Sequence, residues 1–126
     1  MRKLLLCIIL LITFVAQGQT MEFESQTVDY GVIEHNADPF RKFKFTNTGD
    51  KPLIIKSVKG SCGCTVPSYK KEDGSSQWNP GETGTITVRY ATNRIGNFIK
   101  NIIVITNLPD NKPIILTIKG NVIENK

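Results

Sequence analysis

The sequence predicts an all-β fold: an antiparallel β-sandwich of about seven strands, preceded by a cleaved signal peptide. Three observations predict it. Beyond residue 19, apolar and polar residues alternate at the two-residue period of a half-buried strand, and no window sustains a helical period. Clusters of Asn, Asp, Gly and Pro break those runs at short intervals. The connections are short and hold no helix, whereas a parallel crossover needs about a dozen residues or more. Two antiparallel sheets facing each other meet all three conditions.

The elements follow in chain order. Arg2 and Lys3 give a basic start, and Leu4 to Val15 is apolar apart from Thr13. That run is shorter than the roughly 20 residues needed to span a bilayer. Ala16-Gln17-Gly18 then places small residues where a signal peptidase reads them. The expected cut follows Gly18, making residues 1–18 the signal peptide and 19–126 the mature domain. Cys7 has most of the apolar run still ahead of it, so it reads as part of the leader and not as a lipid-anchored first residue.

Strands come next. "FKF" sets Phe43 and Phe45 inward and Lys44 outward. "TITVRYAT" sets Ile86, Val88 and Tyr90 inward, and "PIILTIKGNVI" puts Leu116, Ile118 and Val122 on one side. "PLIIKSV" and "NFIKNIIVIT" are more continuous, which predicts strands covered on both faces for part of their length. Asn36 to Pro39, Asn47 to Pro52, Glu72 to Ser76, Asn79 to Gly81, Asn93 to Gly96 and Asn107 to Pro113 supply the turns. The single Trp78, just before a turn, reads as a partly buried plug at one end of the sandwich.

Composition narrows the function. Residues 19–126 suit one domain of ordinary size. Loss of Arg2 and Lys3 with the leader lowers the formal charge of +5, and the remaining lysines are spread along the chain. They form no cluster of the kind nucleic acid requires, so no nucleic acid is expected as partner. No integral membrane span is expected after signal cleavage.

Several segments together carry a family pattern: "VDYGVI" (Val28–Ile33), "FTNTGDKPLIIKSVKGSCGCTVPSY", "NPGETGTITVRYAT", "GNFIKNIIVITN" and "LTIKGNV". Read in that order they resemble the family called domain of unknown function 1573. Cys62-Gly63-Cys64-Thr65 is the most distinctive part, followed by Pro80-Gly81 and by Gly96 with Phe98 and Lys100. The segments show no clear departure from the pattern. The resemblance implies an immunoglobulin-like sandwich in an exported or envelope protein of Gram-negative bacteria, similar to Ig-like modules of ciliary and centrosomal scaffolds. It implies no particular activity.

Cys62 and Cys64 are the only cysteines left after cleavage, in a compartment that favours disulfides. A bond between them closes a loop holding only Gly63, so it removes little unfolded-state entropy. On a regular strand their Cα atoms would stand roughly 6.5–7 Å apart, at the limit for bridging. A bond therefore needs a bend, which Gly63 permits. Three readings stand. The pair is structural, as a small disulfide or two half-buried thiols. It is a soft-metal site, two thiolates on one face suiting Cu(I). Or it exchanges with other thiols, with Lys59 and Lys70 lowering a thiol pKa if they come close. Thr65 and Val66 read as a short strand, and Pro67 as support for the loop, which places the pair at an edge or sandwich end.

Catalytic chemistry finds little here. His35 is the only histidine, and no phosphate-binding glycine loop is present. The acidic residues Glu22, Glu24, Asp29 and Glu34 show no paired spacing. The expected function is an exported, non-catalytic accessory module, in the periplasm or at the cell surface. It needs no cofactor and contacts an envelope protein through edge strands or loops. Lys42, Lys44, Lys56 and Lys100 would guard the outer faces. The alternative is a small metal or thiol-redox protein working through Cys62 and Cys64.

Overall fold

The computed structural model describes residues 20–109 and 112–124. The expected signal peptide lies outside the described residues. Among the described residues nine strands form two sheets: β1 Met21–Phe23, β2 Thr27–Glu34, β3 Phe40–Asn47, β4 Leu53–Gly60, β5 Thr65–Ser68, β6 Gln77–Trp78, β7 Thr83–Tyr90, β8 Gly96–Thr106 and β9 Ile114–Ile123. One sheet runs β1-β3-β7-β5 and the other β2-β9-β8-β4-β6. No helix occurs among the described residues. Seven strands have four residues or more; the two shortest, β1 and β6, were not marked by the sequence.

Every pairing is antiparallel except β2 with β9, which is parallel. This corrects the expectation of wholly antiparallel sheets. The crossover argument holds for strands consecutive in sequence. Between β2 and β9 lies nearly the whole domain, so no short link has to cross the sheet. β2 is also bulged between Asp29 and Val32, where Gly31 takes φ 73° and donates its N–H to Asp29 Oδ1.

The core lies between the sheets and is built by alternation. Phe43, Phe45, Ile86, Val88 and Tyr90 face in from one sheet. Leu53, Ile55, Ile102, Val104, Leu116, Ile118 and Val122 face in from the other. Each aliphatic or aromatic side chain so buried contributes about 1.5–3 kcal/mol before entropy is counted. Asn47 is the buried polar pin. Its Nδ2 donates to Lys51 O and Trp78 O, at 2.8 and 2.9 Å, while its Oδ1 accepts from Gly49 N.

Three expectations need correction. Trp78 is not a half-exposed plug: it is 2 % exposed and packs edge-on against Phe45 at 5.1 Å between centroids. The continuous runs of β4 and β8 are not covered on both faces. Ile54, Ile99 and Ile103 are exposed, because among the described residues no third layer covers the outer face of the five-stranded sheet. Lys100 does not share the outward row of Lys42, Lys44 and Lys56. It stands half-buried on the inward row of β8, between buried Phe98 and Ile102, which register assigns by alternation.

At one end of the core Tyr30, Tyr90 and Phe98 form an aromatic cluster, with Tyr90 stacked on Phe98 at 3.8 Å. The Tyr30 hydroxyl donates to Pro39 O at 2.8 Å, and the Arg41 guanidinium lies 4.2 Å from its ring centroid. Burial pushes the Tyr30 phenol up to about 12, with the Arg41 charge acting the other way. A folded-state pKa above the unfolded value near 10 gives stability that is complete below pH 10 and lost as pH rises toward 12. Denaturant melts across that window should show a decline in the native chain. Tyr30→Phe should flatten it, at the cost of one hydrogen bond at neutral pH, about 1 kcal/mol.

Candidate disulfide site

The candidate site sits where the chain leaves one sheet for the other. Ser61 N still donates to Asn101 O of β8, at 2.9 Å, continuing the pairing of β4. Three residues later Cys64 O already accepts from Ala91 N, just past β7, at 2.9 Å. Sheets that pack face to face stand about 10 Å apart, so residues 61–64 form a strap across the gap. Thr65 N donates to Cys62 O at 3.2 Å and closes the turn.

Within the strap Cys62 and Cys64 are joined as a disulfide, with Cα atoms 5.3 Å apart. The turn shortens the strand spacing into the usual bridging range of about 4.4–6.8 Å. Cys64 is 8 % exposed and belongs to the core, whereas Cys62 is half-buried and packs at its margin. The Thr65 side chain is buried, and its Oγ1 lies 3.6 Å from Cys64 Sγ and 3.9 Å from Cys62 Sγ. Thr65 pairs with Tyr90, a member of the aromatic cluster.

The remaining residues of the motif divide. Pro67 lies in β5, an edge strand, the position in a sheet that tolerates a residue without an N–H. Gly63 has nothing within 4 Å of where a Cβ would stand, and its φ is not positive. The bend therefore does not demand glycine there. The glycine that the site demands is Gly60, whose added Cβ would fall 2.2 Å from Thr65 O. Sequence alone does not single out Gly60, since a close approach between strand ends leaves no periodic signal. His35 lies in the turn between β2 and β3, with Nδ1 3.3 Å from Asn36 Nδ2.

The joined sulfurs carry no thiolate, so a soft cation such as Cu(I) would find its ligands only after reduction. Among the described residues no three His, Cys, Asp or Glu side chains are grouped as metal ligands. A bridge around three residues contributes roughly 1.6 kcal/mol by the loop-entropy relation, about half the contribution from a 15-residue loop. Ala91, whose N–H holds the strap, also lines a cleft of about 420 Å³ with Asn36, Pro39, Arg89 and Thr92.

The family profile described as "Protein of unknown function (DUF1573)" matches residues 21–122. That span runs from β1 nearly to the end of β9 and includes the strap. The chain belongs to the DUF1573 family.

Solved structures extend the likeness at the level of fold. A protein of unknown function from Porphyromonas gingivalis W83 superposes with TM-score 0.70 at 17 % identity, over 87 % of this chain and 50 % of that one. This DUF1573 chain thus spans half the length of that relative. The seventh PapD-like domain of human CEP192, an ASH domain, superposes with TM-score 0.65 at 11 % identity, covering 90 % and 92 %. The CsuC–CsuE chaperone–tip adhesion subunit complex of Acinetobacter baumannii Csu pili gives TM-score 0.56 at 11 % identity, covering 82 % and 57 %. No curated protein matches this DUF1573 chain. The immunoglobulin-like sandwich of the PapD-like kind is the shared feature.

Proposed function

We propose that this DUF1573 protein is an exported, non-catalytic interaction module of a Gram-negative envelope, binding another envelope protein through a sheet edge. The observation that carries the reading is β2. Among the described residues it is an eight-residue strand at the edge of the five-stranded sheet, with a strand neighbour on one side only. The other sheet edges are shorter: three residues in β1, four in β5 and two in β6. A long edge offers a row of backbone donors and acceptors to an added strand. The bulge at Gly31 limits self-pairing, and Val32, 70 % exposed, gives an arriving strand an apolar contact. The likeness to a chaperone–subunit complex supports protein partnership, and the apolar leader with its small-residue cleavage site supports export. Among the described residues no helix is long and apolar enough to cross a membrane.

A photo-crosslinking residue placed at Val32 in the producing cell tests the reading. The expected result is one discrete adduct from Val32, and none from Lys44 on the outward row of β3. Introducing Glu34→Pro at the same edge should weaken that adduct without changing the amount of folded protein. Equal, diffuse labelling from both positions would overturn edge binding.

A further inference from the structure

We infer that, in addition to its edge contact, the module uses the Cys62–Cys64 bridge as a stoichiometric thiol–disulfide exchange site, accepting two electrons from a dithiol. Two features of the strap converge on this. Cys62 is the more exposed residue of the pair and Cys64 the buried one. Thr65 aims a buried hydroxyl at both sulfurs.

The hydroxyl decides the matter chemically. A buried hydroxyl needs a good acceptor, and disulfide sulfur is a poor one. A thiolate is a strong, charged acceptor, and hydrogen bonds to charged groups are about twice as strong. Thr65 Oγ1 therefore favours the reduced pair over the oxidised pair. Stabilising the reduced form is what makes a disulfide an effective oxidant. The small loop acts in the same direction, because folding stabilises a bridge around so short a loop only a little.

The step balances as follows. A donor thiolate attacks Cys62 Sγ. The Sγ–Sγ bond breaks, a mixed disulfide forms on Cys62, and the electron pair stays on Cys64 Sγ, facing Thr65 Oγ1. The donor's second thiol, once deprotonated, attacks the donor sulfur of that mixed disulfide. The donor leaves as its own disulfide, and Cys62 is released as a thiolate. The dithiol is oxidised by two electrons, and the pair takes up those electrons with two protons from solvent.

The test is equilibration of the purified chain in glutathione redox buffers, with alkylation and mass analysis of the peptide carrying Cys62 and Cys64, which separates them from Cys7. The pair should be reduced by excess reduced glutathione. Thr65→Val should shift the equilibrium about tenfold toward the disulfide, or about 30 mV for two electrons, and Thr65→Ser should restore it. A second arm reads the site of attack. Cys62 in Cys64→Ser should form a mixed disulfide with oxidised glutathione at least tenfold faster than Cys64 in Cys62→Ser, both variants being checked for a cooperative melt. A bridge that stays closed in excess reduced glutathione would overturn the inference. So would an equilibrium indifferent to Thr65→Val, or equal rates from the two single cysteines.

Discussion

Trp78→Ala should lower the stability of this sandwich by about 3–5 kcal/mol, a loss of roughly 15–25 °C in melting temperature for a domain of this size. The ring is 2 % exposed and heads the fully buried side chains in volume. Phe45 meets it edge-on at 5.1 Å, and Lys71 Nζ lies 5.3 Å from its centroid. Gly84 is part of the same arrangement: a Cβ there would come 2.5 Å from Trp78 Nε1 and 2.3 Å from Phe45 Cζ. The two rings occupy the space that an ordinary residue at position 84 would need. Removing the indole leaves a cavity that two hydrogen-bonded sheets collapse around only in part. Since domains are stable by only about 5–15 kcal/mol, the variant approaches the unfolding threshold. Trp78 is the only tryptophan, so emission during denaturant unfolding of the native chain reports this site directly. Circular dichroism of the variant measures the loss. A shift of under 5 °C would mean that the ring is not the centre of the packing.

Why the sequence showed so much of the fold, yet placed this ring wrongly, has a physical answer. Strand alternation is a local property. Phe43, Phe45, Ile86 and Val88 could be set inward by reading neighbours two apart, and the structure buries all four. Trp78 lies in a strand of two residues, too short to carry a period, and its burial is decided by Leu53, its partner 25 positions earlier. The parallel β2–β9 pair is likewise a long-range fact, joining Val28 to Ile118. Lys100 breaks the pattern for another reason. A lysine on an inward row lays its aliphatic stem along apolar surface and carries its charge toward water, so charge alone does not reveal the face. At the strap, the sequence displayed Cys62 and Cys64 as chemistry. What surrounds them, Gly60 below and Thr65 beside, depends on how two strand ends approach in space.

Gly60→Ala should cost about 3 kcal/mol or more, through overlap with main chain that has no room to yield. The added Cβ would stand 2.2 Å from Thr65 O and 3.1 Å from both Thr65 C and Cβ. A flexible side chain could swing aside; these atoms are held. Gly60 pairs with Ile102 of β8, and Thr65 pairs with Tyr90 of β7. Relief therefore requires separating one strand end from its sheet, which pulls on the strap that carries the bridge. Gly63→Ala is the matched control, three residues away, with open space around its new methyl group and an expected change within about 0.5 kcal/mol. Thermal melts of the two variants should thus differ by roughly 10–15 °C. Cys64 alkylation after mild reduction should rise in Gly60→Ala and stay near the native level in Gly63→Ala. Coincident melts would show that the strands at the strap are free to part. The close approach of Gly60 to Thr65 would then not be what aims the threonine hydroxyl at the sulfurs.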